Sequence, residues 1–361
     1  MSCLQKVMNN VPDMETTKQT APKLSIVMPF FNHPELVSEM IESLLANDFK
    51  EWELLAIDDG SDQTAIDALM HYTADERICM LHRDRLPKGA QTCRNIGLEK
   101  ATGKYIVFFD SDDYVAPYCL KNRVEQLEQH PELDFMVFRS GVYLDGNFIT
   151  QPHDRTYGYP IYKDDLKAFI RRTLPFIVWS NIYRTEALRQ NQLVWDIHLL
   201  SFQDSDYNIQ ALLHGMKYAY SDTAADYGYR IEGNTGSISK KTVSEEHRNS
   251  HLYFLRRQFE QVQSVHGHHY DHALYQCALN IFSSLMPDGI DYVYAQQLAD
   301  IVAQHSKRYG WRFKLQLHMS RLLQKVVSPR MARQIPTAIY LIKKRHWENT
   351  IARKVARIQQ Q

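Results

Sequence analysis

The sequence predicts an α/β protein with a largely parallel central sheet, followed by a basic helical region at its carboxyl end. Apolar segments rich in β-branched residues alternate with segments whose apolar residues recur at helical spacing. This alternation is the pattern of βαβ units. Acidic residues directly follow several of the apolar segments, and ligands of parallel sheets bind off the carboxyl ends of the strands. The predicted fold class therefore also predicts where a functional site should lie.

The elements of the predicted sheet can be assigned in order along the chain. The apolar segments expected to form strands are 23–32, 52–62, 77–84, 104–114 and 134–140. The helices expected between them are 34–45, 63–74, 90–101 and a segment that begins at Pro117. Pro34 suits the first position of a helix because its missing N–H would have no partner there. Gly103 marks the end of the third helix.

The second part of the chain is less regular. Residues 141–240 are rich in Gly, Pro and aromatic residues and show weak periodicity, so they predict an irregular α+β region. Beyond residue 243 the apolar residues return to helical spacing, as in Leu252, Leu255 and Phe259. We therefore expect helices from there to the end of the chain.

Composition bounds the class of protein. The chain has 361 residues, of which 44% are hydrophobic and 11% aromatic, enough for a sizeable core in two or three compact units. Five scattered cysteines without C-x-x-C spacing argue against a disulfide scaffold or a zinc site. No apolar run reaches the length of about 18 residues expected of a membrane span, and residues 1–20 lack the layout of a signal peptide. We therefore expect a cytoplasmic protein.

The net charge of zero conceals a strong asymmetry. From Lys307 to the end, fourteen Lys or Arg residues oppose one acid, Glu348, which gives +13. The whole chain has 42 basic and 42 acidic residues, so residues 1–306 carry −13. A basic region attached to an acidic body indicates an anionic partner.

The densest acidic cluster is Asp110-Ser111-Asp112-Asp113, directly after the apolar segment YIVFF. Carboxylate oxygens at this spacing can hold a hard divalent cation, Mg²⁺ or Mn²⁺, which would bridge the phosphates of a nucleotide. The alternative is a helix cap with acids favoured by the helix dipole. One cap accounts for one aspartate rather than three, so the residues alone favour the metal site.

Two further segments carry candidate ligand-binding residues. In IDDGSD (57–62), a carboxylate at the strand end could accept a hydrogen bond from a nucleobase N–H, although turn chemistry alone explains the segment. In KGAQTCRNIG (88–97), Lys88, Arg94 and Asn95 stand near a helix start and could contact phosphate or ribose. The alternative there is an amphipathic helix with a solvated arginine.

Candidate residues also occur in the irregular region. Asp204 and Asp206 precede an amphipathic segment, where one could be an N-cap and one a general base for an incoming hydroxyl. Spacing alone leaves both open. Trp179 and Tyr183, four residues apart, are most simply core residues. Trp179 could instead stack on a sugar ring of an acceptor, and Asp206 is a second candidate for acceptor binding.

Four segments together resemble the bacterial family 2 glycosyltransferases of the GT-A fold, which are used in lipopolysaccharide or capsule biosynthesis. In chain order they are IVMPFFN, AIDDGSD, CRNIGLEKATGKYIVFFDSDDYV and QDSDYNIQALL. A later segment, DYGYRIEGNTGSIS (226–239), is similar to the one that closes the catalytic domain of that family. The resemblance implies a Rossmann-like, mostly parallel sheet with flanking helices. It also implies an inverting hexosyl- or N-acetylhexosaminyl-transferase that uses a nucleotide diphosphate sugar, usually a UDP-sugar.

The resemblance also implies boundaries within the chain. The expected segments are a flexible arm (1–22), a nucleotide-sugar-binding half (23–140), an acceptor-binding half (141–240) and a helical region (241–361) that is basic from residue 307. The family's motif at the first strand, near the nucleoside, matches Pro29, Phe31 and Asn32. Asp59 matches the carboxylate that reads the uracil.

The same resemblance gives roles to the acidic residues. Asp112 matches the direct ligand of Mn²⁺ or Mg²⁺, and Asp110 lies nearer the ribose while also serving the metal. Ser111 lies between them and belongs with the nucleotide-sugar contacts, as does Arg94. Asp204 matches the catalytic base, although Gln203 replaces the glutamate that usually precedes it.

The basic tail fits this interpretation. Between Ile339 and Ile358, cations alternate with apolar residues and Trp347, a pattern typical of helices in an anionic membrane interface. The expected partners are a nucleotide sugar, a glycan or lipid-linked acceptor and an anionic membrane surface, reached at the cytoplasmic face of the plasma membrane. No nucleic-acid motif occurs, so no nucleic-acid partner is expected. Packing of the tail on the acidic body is the alternative.

Two other functions remain possible from the sequence. A phosphotransferase of the haloacid dehalogenase type also places Asp-x-Asp after a buried strand, usually the first one. Here the motif follows the fourth, and Asp113-Tyr114 depart from that pattern. A binding protein without catalysis is the second possibility, favoured only by Gln203.

Overall fold

The computed structural model describes residues 21–150, 156–231, 244–284 and 291–359. Residues 1–20 of the expected arm and 232–239 of the closing segment lie outside this part of the chain. The described residues form two compact units. The first takes its residues from Met1–Tyr159, Phe176–Ile197 and Met216–Glu232, and the second from Pro160–Pro175, His198–Gly215 and Gly233–Gln361.

Strands and the first set of helices make up the first unit. Its strands are β1 (Leu24–Phe30), β2 (Trp52–Asp58), β3 (Ile78–His82), β4 (Tyr105–Phe108), β5 (Tyr114–Val115), β6 (Phe135–Val137), β7 (Ser140–Leu144), β8 (Asn147–Ile149), β9 (Asn181–Arg184), β10 (Tyr218–Tyr220) and β11 (Tyr227–Arg230). Its helices are α1 (Pro34–Leu45), α2 (Gln63–Met70), α3 (Ala90–Lys100), α4 (Cys119–Gln129) and α6 (Thr185–Gln190), with a 3₁₀ turn at Val178–Ser180.

The central sheet has seven strands within the described residues, in the order β10-β6-β9-β4-β1-β2-β3. Neighbours pair in parallel except at β9, which is antiparallel to both β4 and β6. The predicted α/β class with a mostly parallel sheet is therefore confirmed. Every residue of β1 is buried, which explains why its sequence is continuously apolar.

The sequence did not predict two features of this unit. The segment around Tyr183 forms β9 inside the central sheet, where we expected only irregular structure. A second sheet has the order β5-β11-β7-β8 and combines a two-residue strand with segments far apart in the chain. Such short strands at long separation leave no local periodicity to detect.

Strand register aligns the carboxyl ends of β1, β2 and β3. Pro29 lies inside β1 opposite Ile57, and Phe30 lies opposite Asp58, which in turn lies opposite His82. The strand β4 continues the same edge, because the Phe109 N–H donates to the Val27 carbonyl at 3.0 Å. The residues that follow β1, β2 and β4 therefore emerge at one edge of the sheet, as predicted.

The second unit is helical. Its helices are α5 (Asp165–Ile170), α7 (Gln203–Leu213), α8 (Glu245–His266), α9 (Asp271–Ser284), α10 (Tyr292–His305), α11 (Lys307–Leu323), α12 (Pro329–Gln334) and α13 (Ala338–Gln359), with a 3₁₀ turn at Gly267–Tyr270. The helices α5 and α7 pack against α9 and α8 respectively, so these parts of 141–240 belong with the carboxyl-terminal helices. This division differs from the boundary that we expected at residue 240, because α5 and α7 pack against helices of the second unit.

Candidate active site

The turn after β1 presents Phe31 and Asn32. Phe31 is 44% exposed, and the Lys88 ammonium lies 3.5 Å from the centroid of its ring. Asn32 adopts a left-handed conformation with φ 55°, which asparagine tolerates better than most residues. Its N–H donates to Ser61 Oγ at 3.0 Å, and its Oδ1 accepts from the Asp62 N–H at 2.9 Å. These hydrogen bonds fix the end of β1 to the turn after β2.

Asp58, the first acid of IDDGSD, stabilises this turn. Its Oδ1 accepts from the Ser61 N–H at 2.8 Å, and its Oδ2 lies 3.1 Å from His82 Nδ1. Burial alone would raise the pKa of Asp58, but the hydrogen bonds from Ser61 and His82 outweigh it and lower the pKa below its usual value. Asp58 is therefore ionised and built into the fold.

Asp59, the second acid, has a different environment. Its Oδ1 accepts from Arg83 Nε at 2.7 Å and from the Gly89 N–H at 3.0 Å. Among the described residues, Oδ2 receives no hydrogen bond, and the side chain is 11% exposed. Asp59 is therefore held rigidly through one oxygen while the other keeps its capacity to accept.

Arg94 lies on α3 and reaches Asp110. Its Nη2 donates to Asp110 Oδ1 at 2.6 Å, and its guanidinium carbon lies 4.4 Å from the centroid of the Trp195 ring. Asn95 fixes the backbone of Trp195 through two hydrogen bonds of 2.9 Å and 2.8 Å. The arginine that the sequence assigned to phosphate or ribose thus positions the first aspartate of the acidic cluster.

The acidic cluster lies in a loop that β11 holds in place. The Asp110 N–H donates to Tyr227 Oη at 3.2 Å, and Tyr227 Oη donates to Asp113 Oδ2 at 2.8 Å. Asp113 Oδ1 accepts from the Arg230 N–H at 2.8 Å, while Arg230 Nε donates to the Asp112 carbonyl at 2.7 Å. Asp113 is 2% exposed. The third acid of the cluster therefore has a structural role that the sequence did not reveal.

Asp110 and Asp112 are half-buried, as is Ser111 between them. Burial, followed by the negative charge of Asp110, raises the pKa of Asp112 to about 6. The negative charge of Asp110 beside Asp112 favours a hard cation, which would relieve the repulsion. Within the described residues, no group of three or more His, Cys, Asp or Glu side chains could hold a metal. A cation here would take its remaining ligands from substrate phosphates and water, as Mg²⁺ often does.

In the second unit, Asp204 lies in the first turn of α7. The preceding residue, Phe202, has φ 67°, and its ring stacks on His251 at 4.5 Å between centroids. The guanidinium carbon of Arg172 lies 3.4 Å from the centroid of the same ring. Gln203 Nε2 donates to the Leu199 carbonyl at 2.9 Å. These contacts fix the start of α7, and Asp204 is half-buried there.

Asp206, two residues later on α7, is 1% exposed. Its Oδ1 accepts from Arg257 Nε at 3.0 Å and from Gln258 Nε2 at 2.8 Å. A carboxylate enclosed in this way is committed to packing α7 on α8. The structure therefore favours Asp204 over Asp206 as the candidate base, and it favours a structural role for Asp206 over acceptor binding.

Trp179 is 3% exposed, so the structure favours the core alternative over stacking on a sugar. Its ring stacks on Tyr227 at 4.6 Å and meets Tyr157 edge-on at 5.7 Å. Its carbonyl accepts from Arg123 Nη1 at 2.7 Å. Arg123 also forms two hydrogen bonds of 2.8 Å and 2.6 Å with Asp226. This ion pair is fully buried, and sequence analysis did not identify it.

The end of the chain forms α13, where several apolar residues contact the helical unit while Ile339 and Ile342 are exposed. Tyr340 accepts a hydrogen bond from Asn280 at 3.1 Å, Trp347 lies 5.5 Å from Tyr162 between ring centroids, and Val355 is buried. These contacts fit the expected alternative in which the basic tail packs on the protein. None of the helices in the described ranges is long and apolar enough to cross a membrane.

Comparison with known families gives a match in the first unit. Residues 25–191 match the model of Glycosyl transferase family 2. The chain is 27% identical over 256 residues to the uncharacterized glycosyltransferase EpsJ of Bacillus subtilis (strain 168), covering 69% of this chain and 71% of EpsJ. It is 25% identical over 230 residues to the poly(ribitol-phosphate) beta-N-acetylglucosaminyltransferase TarS of Staphylococcus aureus (strain Mu50). That match covers 62% of this chain and 38% of TarS, so the chain spans well under half of TarS.

A solved structure shows the same fold. The crystal structure of S. aureus TarS 1-349 in complex with UDP-GlcNAc has a TM-score of 0.64 at 19% identity, covering 86% of this chain and 90% of that one. This likeness confirms the expected GT-A architecture, and in this chain helices follow it to the carboxyl end. Taken with the site at the sheet edge, these comparisons identify the chain as a glycosyltransferase whose residues 25–191 are similar to glycosyl transferase family 2.

Proposed function

We propose that this protein is an inverting, metal-dependent glycosyltransferase that moves a sugar from a nucleotide diphosphate, UDP above all, to a hydroxyl of its acceptor. One observation carries the proposal: Asp59, with an oxygen that accepts no hydrogen bond from the described residues, follows β2 at the edge where Asp110 and Asp112 follow β4. Nucleotides bind at this edge of parallel sheets. The UDP-GlcNAc bound by TarS supports the choice of nucleotide.

Nucleoside recognition falls to the first two turns. Asp59 Oδ2 would accept the N–H of the uracil ring, and Arg83 would hold the carboxylate in place through Oδ1. The exposed Phe31 ring offers an apolar face beside the Lys88 ammonium. Asn32 acts by fixing the turn that carries them.

The phosphates fall to the acidic loop. Asp112, with Asp110, would hold Mn²⁺ or Mg²⁺, and such a cation supplies Lewis-acid stabilisation of the departing diphosphate. Arg94 keeps Asp110 oriented through the 2.6 Å ion pair. Asp113, Tyr227 and Arg230 fix the loop so that little reorganisation is needed when the donor binds.

Asp204 is the proposed general base. Its carboxylate takes the proton of the acceptor hydroxyl while that oxygen bonds to the anomeric carbon and the bond to the diphosphate breaks. One displacement inverts the anomeric configuration without a covalent sugar–enzyme intermediate, unlike the double displacement of retaining glycosidases. Asp204 must remain ionised, and its half-buried position at the start of α7 is compatible with this because negative charge is favoured at a helix N-terminus.

The class of acceptor is proposed on grounds other than the contacts of these residues. We propose a glycan or lipid-linked acceptor in cell-surface polysaccharide synthesis, with the enzyme at the cytoplasmic face of the plasma membrane. The net charge of +13 from Lys307 onward supports an anionic surface as partner. The family match favours this function over a phosphotransferase.

The test is calorimetric titration of the protein with UDP, GDP and CMP, each with Mn²⁺ and with chelator. We expect UDP to bind selectively and only with the cation. Binding of all three nucleotides alike, or of UDP equally well in chelator, would contradict the proposal. Sugar transfer that is lost in Asp204→Asn would then exclude a protein that binds nucleotide sugars without catalysis.

A further inference from the structure

The helix α11 has two apolar faces. Phe313, Leu317 and Ser320 are buried and pack α11 into the helical unit. A second set lies at spacings of four, four and three residues along the opposite side and is exposed: Trp311 (67%), Leu315 (43%), Met319 (41%) and Leu322 (52%). Val326 (78% exposed) follows four residues later, in the turn after the helix. Such spacing aligns side chains along one face of a helix. The described part of the helical unit thus leaves a continuous apolar stripe uncovered.

Exposed apolar residues continue after the stripe. Met331 (50%) lies on α12, which packs against α11, and Ile335, Ile339 and Ile342 follow at exposures of 45%, 73% and 67%. Scattered exposed apolar side chains are ordinary, whereas a series of large ones on adjoining helices marks an interaction surface.

Cations flank the stripe on both sides. By helical geometry, Arg312 lies on one side of it, and Lys314, Arg321 and Lys325 lie on the other. All four are exposed. The sequence has no acid between Lys307 and His346. One acid of α10, Asp300, pairs with Lys314 at 2.8 Å, and the charge around the stripe remains positive overall.

We propose that this stripe, Trp311 to Val326, lies in the interface of an anionic lipid bilayer. An interfacial helix needs an apolar face that enters the acyl boundary and cations beside it that meet anionic headgroups, and α11 has both. The inference deepens the membrane association proposed above and rests on it, but it moves the contact from α13 to α11. The α13 residues Tyr340, Trp347 and Val355 are covered by the protein itself.

Charge argues against the other occupants. A second copy of this chain would bring like charges to the same face, because a two-fold contact pairs each surface with itself. Nucleic acid would meet the cations but would leave the leucine, methionine and valine side chains without cover. An anionic bilayer accommodates both parts of the surface.

The test is co-sedimentation of the full chain with vesicles of phosphatidylcholine alone or with 30% phosphatidylglycerol (about one lipid in three, enough to give a negative surface). We expect binding to the anionic vesicles only. The variant Trp311→Ser/Leu322→Ser should lose at least about tenfold in affinity, since it removes two large side chains from the bilayer. Arg312→Gln/Lys325→Gln should lose a similar factor, because each cation contributes roughly fivefold near such a surface.

The matched control is Met70→Ser/Val265→Ser, which changes two apolar residues that are 49% and 53% exposed and lie on other helices, α2 and α8. It should bind vesicles as the wild type does. Equal losses in the control, binding to phosphatidylcholine alone, or unchanged binding in Trp311→Ser/Leu322→Ser would overturn the proposal. Self-association without lipid that the stripe variant abolishes would assign the surface to a second copy instead. UDP titration of the same variants separates the two proposals, because nucleotide binding should be unaffected by changes on α11.

Discussion

The tripeptide Asp-Ser-Asp occurs twice in this chain, at 110–112 and at 204–206. The first copy lies in a loop after β4, where both carboxylates are half-buried. The second lies on α7, where Asp204 is half-buried and Asp206 is enclosed by Arg257 and Gln258. The same tripeptide therefore lies in a loop with two half-buried acids in one unit, and on a helix with one half-buried and one enclosed acid in the other.

The difference comes from local geometry. In the loop, the Asp110 N–H donates to Tyr227 Oη and Arg230 Nε donates to the Asp112 carbonyl. These hydrogen bonds hold the loop in which the charge of Asp110 raises the pKa of Asp112. On a helix, residues i and i+2 point to different sides, so Asp204 and Asp206 cannot share a ligand. A cation site is thus expected of the first copy only.

The largest effect on turnover is expected for Asp204→Asn. The amide cannot take the acceptor proton, so we expect a loss of about 10²–10⁴-fold in kcat. The Kd of UDP should stay within about twofold of the wild-type value, a difference of only about 0.4 kcal/mol in binding free energy. An Asp204→Asn enzyme with turnover close to wild type would remove Asp204 from the mechanism.

The next effect concerns nucleotide affinity. Asp112→Asn removes a proposed ligand of the cation. Loss of a group that supports a metal ligand lowers metal affinity roughly 10–100-fold, so loss of the ligand itself should lower it by at least this factor. We expect the Kd of UDP in Mn²⁺ to rise by this factor while the Kd in chelator stays unchanged. Asp84→Asn, at an exposed acid of the same unit, is the control and should behave as wild type.

The second copy makes a prediction about stability. Asp206→Asn weakens two hydrogen bonds to a buried carboxylate and removes the ion pair of Asp206 with Arg257. We expect the free energy of unfolding to fall by roughly 1–3 kcal/mol. Chemical denaturation of Asp206→Asn beside Asp204→Asn measures it, and equal stability of the two variants would contradict the division of roles.

A smaller, pH-dependent effect is expected at Asp58. Because its folded-state pKa lies below the unfolded value, ionised Asp58 stabilises the fold above the unfolded-state pKa. That contribution is lost as pH falls through the folded-state pKa. Asp58→Asn should therefore lower the free energy of unfolding at neutral pH by about 1–2 kcal/mol, and the difference from wild type should shrink at acid pH. A difference that is constant with pH would refute this.

The sequence predicted the central sheet well, and the reason is physical. Strands buried on both faces are continuously apolar, so β1, β2 and β4 stand out from the amphipathic helices between them. The strand β9 was missed because its four residues follow irregular chain, and β5 has only two residues. Pairing of such strands depends on contacts far apart in the sequence.

The acidic residues of the candidate site could also be recognised in the sequence, but the different role of each one could not. Composition alone does not distinguish Asp113 from Asp110 and Asp112. In the structure, hydrogen bonds from the buried Tyr227 and from the Arg230 backbone hold Asp113 in the core. Likewise, hydrogen bonds from Arg257 and Gln258, both distant in the sequence, enclose Asp206 where α7 packs on α8. Such roles depend on burial by residues that are distant in the sequence, and the spacing of the acids along the chain does not reveal that burial.

The central claim is that the first Asp-Ser-Asp binds the nucleotide with its cation and the second supplies the base. The most direct measurement is calorimetric titration of UDP in Mn²⁺ into Asp112→Asn and Asp204→Asn side by side. The account predicts that Asp112→Asn loses the cation-dependent affinity and Asp204→Asn keeps it. Cation-dependent UDP binding that survives in Asp112→Asn, or that disappears in Asp204→Asn, would contradict it.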